Sequence, residues 1–297
     1  MKTLQRFARK TALALSLSLA AAFPALAADS DAPLQLKVYN ADGNSFHVNS
    51  VLVTGKSDAI LLDAQFSRAD AHKLVAEVLA SGKQLKAIYV SQGDPDYYFG
   101  LDVMQAEFPN VKIYATAPTI AAIKGSIDKK FAFWGPKLGV NAPKTKVIPE
   151  PLPAEGLSLE GQKLEVVGLD GELPNRTYVW IPAIKAVVGG VNVFAGLHLW
   201  TADTQSKAQR TAWLKTLQGI EARHPATVVP GHSLNLQLGG VEAVRYSEDY
   251  LRQFETALEQ NPKSADLIGV MKQRYPQAGL GIALDIGAKV NTGEMKW

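Results

Sequence analysis

Three short stretches rich in apolar positions lie near the start of the chain: residues 34–40, 46–55 and 58–64. Each is rich in β-branched or other apolar residues and is bounded by Gly, Asn, Asp or Ser, a pattern typical of strands joined by turns. Residues 67–83 change to apolar positions spaced three and four apart, which predicts an amphipathic helix ending at Gly82. The apolar face of this helix consists of Ala71, Leu74, Val75, Val78 and Leu79.

Strands and helices then alternate along the chain. The predicted elements are a strand over 85–90, a helix from about Tyr98 to Pro109, a strand over 111–116 and a helix over 117–134. A proline-rich connector follows over residues 142–156. At about 15 residues it is too short to indicate a domain boundary.

The second half of the chain again places strands before helices. Strands are predicted over 157–169, 176–182, 185–194 and 226–233, and helices over 206–224, 239–260 and 263–275. Two β-rich halves with helices between them indicate an α+β fold, in which two sheets pack face to face with helices outside. A doubly wound parallel sheet is the competing architecture. It is disfavoured because no G-x-G-x-x-G opens a helix after a strand, and because no helices separate the first three strands.

Residues 1–27 have the pattern of a secretory signal peptide. The basic residues of this segment are Lys2, Arg6, Arg9 and Lys10. Residues 11–23 are apolar, and Ala-Leu-Ala precedes Ala28. The apolar stretch is shorter than the roughly 20 residues that span a bilayer, so no membrane anchor is expected. The sequence therefore predicts a periplasmic or secreted protein with a single domain over residues 28–297.

The charge balance and the lack of cysteine limit the kinds of binding partner that the sequence supports. The predicted signal peptide takes four of the 31 basic residues and none of the 28 acidic ones, which leaves the two signs nearly balanced. No basic excess remains to favour nucleic acid or an anionic membrane. The chain has no cysteine, which excludes disulfides, thiolate metal ligands and lipid attachment at cysteine. A small molecule is the predicted partner.

Candidate chemistry follows the strand at 85–90, in the segment S-Q-G-D-P-D-Y-Y-F-G, residues 91–100. Asp94 and Asp96 flank a proline there, a spacing that suits either a metal site or a turn. In the turn alternative, Asp-Pro starts the turn and Asp96 caps a helix that begins near Tyr98. Neither G-x-S-x-G nor a Walker loop is present, so serine-hydrolase and nucleotide chemistry have no support in the sequence.

This segment resembles the motif T-H-x-H-x-D-H-x-x-G of the metallo-β-lactamase superfamily, which also lies between a strand and a helix. Further likeness comes from the opening hairpin with Asp63, from V-V-G-G-V at residues 187–191, and from V-V-P-G-H-S with His232. The likeness covers about residues 34–260. It implies a four-layer αββα sandwich whose site lies on the loops at one edge of the sheets.

Most metal ligands of that family are replaced in this chain. Gln92, Asp94 and Tyr97 stand where the motif has histidines, and Val191 stands where the bridging aspartate belongs. The middle histidine is also absent, because no histidine lies between residues 73 and 197. Glu172 is the nearest candidate for its place.

Asp96 and His232 alone keep the residue types of the family pattern. A two-zinc site is not expected, because zinc needs at least three suitable ligands and valine cannot bridge two ions. One alternative is a single ion held by Asp94, Asp96 and His232, with Gln92, Glu172 or Tyr97 completing the set. Such oxygen-rich donors suit Mn, Mg or Ca better than Zn. The other alternative is that no metal is bound.

Tyr97, Tyr98, His198 and Trp200 are the candidates for a substrate pocket beside these carboxylates. Two functions remain as alternatives. One is a small-molecule-binding protein on a catalytically retired enzyme scaffold, which keeps the pocket and has lost the metal. The other is a divergent hydrolase in which one ion activates water against an ester, lactone or similar bond, with Asp94 as third ligand or general base.

Overall fold

The computed structural model describes residues 33–297, so the predicted signal peptide lies outside the described residues. A six-stranded sheet forms from the first half of the chain, with its strands in sequence order. These strands are β1 (Gln35–Asn40), β2 (Asn49–Thr54), β3 (Asp58–Leu62), β4 (Gln84–Val90), β5 (Lys112–Ala115) and β6 (Glu150–Pro151). The first three strands pair antiparallel, whereas β3 to β6 pair parallel.

A five-stranded sheet forms from the second half. Its strands are β7 (Leu157–Leu159), β8 (Gln162–Val167), β9 (Tyr178–Ile181), β10 (Ala186–Val188) and β12 (Thr227–Val228). They lie in the order β12-β10-β9-β8-β7, and β10 and β12 are parallel. Between them in sequence, β11 (Phe194–Ala195) pairs parallel with β13 (His232–Ser233) as a separate short ribbon.

The helices lie outside the sheets. They are α1 (Arg68–Ser81), α2 (Pro95–Tyr98), α3 (Leu101–Glu107), α4 (Ala117–Leu138), α5 (Lys207–Glu221), α6 (Glu242–Gln260), α7 (Ser264–Arg274) and α8 (Gly281–Asn291). The last four helices pack in series, each against the next, beyond the second sheet. Within residues 33–297, no helix combines the length and the apolar character that crossing a membrane requires.

Alternate residues of the central strands face different layers, as the pleat of a strand requires. Residues of the first sheet that face the second sheet form one core with residues of β9 and β10: Val51, Val53, Ile60, Leu62, Val179, Ile181, Ala186 and Val188. Their neighbours Leu52, Leu61 and Ile88 pack instead with the apolar face of α1. On the other sheet, Trp180 and Val187 belong to the core that contains Trp213 of α5. The predicted α+β sandwich with four αββα layers is therefore confirmed.

Helix α1 confirms the predicted element but not its whole apolar face. Ser67 caps it, and Gly82 ends it in the left-handed conformation, as the sequence pattern indicates. Four of the five predicted core residues are buried, but Leu79 is 60 % exposed. Leu79 follows Val78 by one position, which turns its side chain about 100° away from the buried stripe.

The predicted cap at Asp96 is wrong. Helix α2 begins at Pro95, with Asp94 at the cap position and no side-chain cap bond, so Asp96 lies inside the first turn. Proline suits the first helical position, because it has no N–H to satisfy there. The helix expected from about Tyr98 to Pro109 is interrupted at Gly100, and α3 resumes at Leu101.

Helix α8 is missing from the sequence-based prediction. Its two glycines weaken the local helix propensity, so tertiary packing decides its formation. Ala283, Leu284 and Ala288 are buried along one side of this helix.

Candidate functional site

Loops from both sheets meet at one edge of the sandwich. Asp63 follows β3, Ser91 follows β4 and Gly190 follows β10. The Asp63 carboxylate accepts hydrogen bonds from the backbone N–H of Ser91 at 2.8 Å and from its hydroxyl at 2.7 Å. The Ser91 Oγ in turn accepts the Gly190 N–H at 2.8 Å, which ties the two sheets together. Burial raises the pKa of Asp63 to about 7, although these donors partly offset it.

Two glycines allow the loops of the second sheet to come close. Gly190 has a φ of 79°, and a Cβ on it would lie 2.1 Å from the carbonyl oxygen of Thr177. A Cβ on Gly231 would lie 2.1 Å from the carbonyl oxygen of Gly190. A side chain at either position would separate these segments, so the two glycines fix where Val191 and His232 lie.

His232 is buried and its two ring nitrogens have different partners. Nδ1 lies 2.9 Å from the carbonyl oxygen of Phe46, which can only accept, so Nδ1 carries the proton. Nε2 then accepts the hydroxyl of Tyr97 at 2.9 Å, and the Asp96 carboxylate lies 3.3 Å from it. The ring stacks on Phe194 with centroids 4.8 Å apart. Burial lowers the pKa of His232 to about 4, which keeps the ring neutral near pH 7.

Asp94 and Asp96 have opposite electrostatic environments although they are two residues apart. Burial and the nearby Asp94 raise the pKa of Asp96 well above its ordinary value. Burial also acts on Asp94, but pairing with Lys130 outweighs it and lowers the pKa. The Lys130 ammonium donates to Asp94 at 2.7 Å and to the carbonyl oxygen of Gly93 at 2.9 Å.

Arg176 is 4 % exposed, and its backbone pairs with that of Gln92, two residues before Asp94. Its guanidinium carbon is 4.2 Å from the centroid of the Trp213 ring, and Nη2 donates to the carbonyl oxygen of Val191 at 3.4 Å. Its Nε has no hydrogen-bond partner among residues 33–297. Burial lowers its pKa, while Asp203 and Asp94 oppose that effect through their charge.

Asp203 completes a group of four charged side chains at this edge. Its carboxylate accepts the indole N–H of Trp200 and that of Trp297, each at 2.7 Å. Burial and Asp94 raise its pKa to about 6, which Lys130 and Arg176 partly offset. We refer to Asp94, Lys130, Arg176 and Asp203 as the charged cluster.

An aromatic group borders the charged cluster. The ring of Phe46 lies 5.3 Å from that of Trp134 and 6.4 Å from that of Trp200, between centroids. Trp200 also contacts Trp297, at 5.4 Å. Trp134 stands one helical turn after Lys130 on α4, which places both side chains on the same face. We refer to Phe46, Trp134, Trp200 and Trp297 as the aromatic rim.

Two of the sequence-derived candidates lie apart from His232. The Glu172 carboxylate is exposed and pairs with Lys215 at 3.1 Å. His198 is buried, and its Nδ1 is 2.9 Å from the hydroxyl of Tyr250 in α6. Burial lowers the pKa of His198 to about 4.

The other candidates lie on the loop after β4 or against the charged cluster. Gln92 is buried, and its side-chain oxygen accepts the N–H of Gly93 at 2.6 Å. Tyr98 is buried next to Phe99, and its hydroxyl has no partner among residues 33–297. Trp200 contacts Asp203 as described above. The structure thus brings Asp94, Asp96, Tyr97 and His232 together, but not Glu172.

Sequence reasoning missed Lys130, Arg176 and Asp203. None belongs to the motif at residues 91–100, and Lys130 reaches Asp94 from a helix 36 positions further along the chain. Arg176 gave a usable signal, because it is the first residue of the strand predicted over 176–182, at an end of the sheet. The contact with Asp203 depends on how the loop after β11 folds back, which no local pattern indicates.

The donors present do not fit the zinc centre that the superfamily implies. The Nε2 lone pair of His232 accepts the Tyr97 hydroxyl, and Asp94 is neutralised by an ammonium that would repel a cation. Val191 offers no side-chain ligand. Zinc requires about three converging N, O or S ligands. Across residues 33–297, no group of three or more His, Cys, Asp or Glu side chains is arranged to hold a metal ion.

Comparisons with known proteins agree with the architecture. The model of the metallo-β-lactamase superfamily matches residues 43–232. The structure is similar to that of DIM-1 metallo-β-lactamase exposed to ceftazidime, with 18 % identity and a TM-score of 0.50, over 74 % of this chain and 97 % of that one. It is also similar to a metallo-β-lactamase from Pontibacter korlensis, with 17 % identity and a TM-score of 0.51, over 74 % and 94 % of the two chains. Among curated proteins, a sequence search finds no match.

Proposed function

The chain belongs to the metallo-β-lactamase superfamily, and from that premise we propose that it is a catalytically retired member that binds a small molecule without a metal ion. A metal enzyme of this fold needs free donor lone pairs that converge on one point. In this chain Tyr97 and Asp96 contact His232, and Asp94 is paired with Lys130.

One observation carries the proposal. The Tyr97 hydroxyl, at a position where the family motif has a histidine ligand, lies 2.9 Å from Nε2 of His232. The other ring nitrogen is held by the Phe46 carbonyl, so Nε2 is the only lone pair that His232 could offer to a metal. If an ion took this lone pair, the Tyr97 hydroxyl would lose its hydrogen-bond acceptor and would remain buried without a partner. That loss costs roughly 1–3 kcal/mol.

Metal analysis and hydrolysis assays test the proposal together. Protein purified without chelator is expected to hold well under one zinc per chain by elemental mass spectrometry. Hydrolysis of β-lactams, homoserine lactones and p-nitrophenyl esters should remain at background, with or without added Zn²⁺ or Mn²⁺. The divergent single-ion hydrolase would instead require added metal for turnover.

Three matched variants separate these outcomes. Asp96→Ala and His232→Ala remove candidate ligands, and Glu172→Ala removes a carboxylate on the surface. Turnover that needs metal and disappears in the first two variants but not in the third would overturn the proposal.

Export is the second part of the proposal. It is supported by the basic, apolar and small-residue segments of residues 1–27. Intact-mass measurement of protein from the periplasm or the medium should give a chain that begins at Ala28 or within a residue or two. A full-length product confined to the cytoplasm would contradict export.

A further inference from the structure

Arg176 is a buried cation that forms no direct ion pair within residues 33–297. It is 4 % exposed, yet none of the salt bridges among residues 33–297 includes it. In the same part of the chain its Nε is unpaired, and the one hydrogen bond of its side chain, to the carbonyl oxygen of Val191, is long at 3.4 Å. Burying an unpaired charge is costly, so a guanidinium in this position calls for an anion.

The surroundings of Arg176 point to where that anion enters. The Arg176 backbone pairs with that of Gln92, two residues before Asp94, and Asp94 and Asp203 act on Arg176 through their charge, so its guanidinium belongs to the charged cluster rather than to the core of α5 alone. Asp94 and Lys130 have side chains that are each 24 % exposed, so this part of the charged cluster is open to solvent. Lys130 therefore stands nearer to solvent and Arg176 deeper.

The charge balance favours a singly charged ligand. Lys130 is paired directly with Asp94, whereas among residues 33–297 Arg176 has no direct ion pair, and Asp203 and Asp94 act on it only at longer range. A phosphate monoester would bring a second negative charge beside Asp94 and Asp203, which would repel it. The planar guanidinium fork matches a carboxylate, which it can bind through two parallel hydrogen bonds.

The aromatic rim favours a flat or apolar body on that ligand. Trp200 and Trp134 are only partly buried, and Trp297 is 45 % exposed, so their rings keep surface that a ligand can cover. Indole faces stack well on aromatic rings. The indole N–H groups of Trp200 and Trp297 are held by Asp203, which fixes those rings next to the charged cluster.

We propose that the charged cluster and the aromatic rim form a binding site for a small aromatic monocarboxylate, whose carboxylate pairs with Arg176 and whose ring packs on the indoles. The inference rests on the proposed function, since it assigns a ligand class to the metal-free scaffold. It predicts that recognition depends on Arg176 and on no metal ion.

Phenylacetate is a suitable probe, and phenylacetamide is its neutral counterpart of the same shape. Titration calorimetry, with tryptophan fluorescence as a second signal, should detect phenylacetate with a Kd of about 1 mM or tighter. Phenylacetamide and the dianion benzylphosphonate should each bind at least about tenfold more weakly than phenylacetate. Saturating EDTA should not change the affinity for phenylacetate.

Arg176→Met tests the guanidinium, and Arg223→Gln is its control. Arg223 also stacks on a tryptophan, Trp180, but it lies beside Glu165 away from the charged cluster. The first variant should lower phenylacetate affinity about tenfold or more, and the control should leave it unchanged. If Arg176→Met does not fold by circular dichroism, Arg176→Lys keeps the charge without the planar fork and should lower the affinity several-fold.

The outcomes distinguish this inference from the proposed function. No phenylacetate binding up to about 10 mM, equal binding of the amide, or full affinity after substitution of Arg176 would overturn the inference. Binding that EDTA abolishes would overturn it as well. Metal-dependent hydrolysis together with Arg176-dependent, EDTA-resistant binding would overturn only the proposed function.

Discussion

Arg210 and Arg176 have the same residue type and the same exposure, 4 %, but very different partners. Arg210, on α5, bonds both oxygens of Glu255, at 2.6 and 3.3 Å. It also donates to two backbone carbonyls and to Asn291. Arg176, at the edge of the sheets, has one long bond to a carbonyl and an unpaired Nε within residues 33–297.

The difference separates a structural cation from a binding one. A buried charge that the fold uses for its own stability is surrounded by partners, because an unpaired one is costly. A buried charge that lacks partners lowers stability, and such strain is retained where function needs it. The helical layer of α5 and α6 is therefore the scaffold, and the edge of the sheets is the site.

Two buried carboxylates, Asp70 and Asp63, differ in the same way in the number of their hydrogen-bond partners. Asp70 accepts hydrogen bonds from Tyr39, Ser45, Ser67 and Lys73, and these outweigh burial and lower its pKa. Asp63, at the edge of the sheets, has fewer donors, and burial raises its pKa to about 7.

The largest expected effect comes from breaking the satisfied arginine. Arg210→Leu leaves Glu255 and two carbonyls without their donor, which should lower the free energy of unfolding by about 3–5 kcal/mol. Urea unfolding followed by circular dichroism measures it. In Arg210→Leu/Glu255→Leu neither charge is left without the other, so the double variant should recover part of the loss. A single variant as stable as the parent would show that Arg210 is not structural.

The second effect is a pH dependence that originates from Asp63. Its pKa is 3.8 when unfolded and about 7 when folded, so between these values the native state holds a proton that the unfolded chain has lost. The contribution of Asp63 to stability therefore falls as pH rises through that window, by at most about 1.4 kcal/mol per pH unit. Unfolding by urea from pH 4 to pH 7 should show a steeper decline for the parent than for Asp63→Asn.

Asp70 should give a pH dependence of stability with the opposite sign, which Asp70→Asn tests. The pKa of Asp70 is lowered in the native state, so its stabilisation is present above the unfolded value of 3.8 and is lost as pH falls below it. This variant should lose stability at pH 7 and change little in acid. Parallel pH profiles for Asp63→Asn and the parent would contradict the assignment for Asp63.

A smaller effect of the opposite direction is expected at the unsatisfied arginine. Arg176→Met replaces an unpaired buried cation by an apolar side chain that can still pack on Trp213. The free energy of unfolding should stay constant or rise by roughly 1–2 kcal/mol. Thermal and urea unfolding without ligand measure this change. Destabilisation of the size expected for Arg210→Leu would mean that Arg176 has a structural role as well.

The smallest effect is expected at Glu172, the surface carboxylate. Its pair with Lys215 is solvent-exposed, and such pairs contribute little. Glu172→Ala should change the free energy of unfolding by less than about 0.5 kcal/mol and leave phenylacetate affinity and metal content unchanged. A clear loss of ligand affinity would place Glu172 in the site after all.

The sequence by itself predicted the strands and helices of the sandwich, and its resemblance to the metallo-β-lactamase motif predicted the four layers. The spacing of apolar residues predicts the central strands and α1. Leu52 and Val53 face opposite layers of a strand, whereas Leu74 and Val78 lie four positions apart on the buried face of α1. The V-V-G-G-V and P-G-H-S segments also located the edge where the site forms. The absence of histidine at positions 92, 94 and 97 was sufficient to expect that a two-zinc centre is lost.

Only the tertiary structure decided how the remaining side chains are paired. Lys130 meets Asp94, and Asp203 meets Trp297, across 36 and 94 positions of the chain. Such contacts depend on where whole helices and loops dock, so no local pattern specifies them. The same residue type, arginine, therefore has a full set of side-chain hydrogen bonds at position 210 and an incomplete set at position 176. The difference between scaffold and site is a difference in partners, and partners are fixed by the fold.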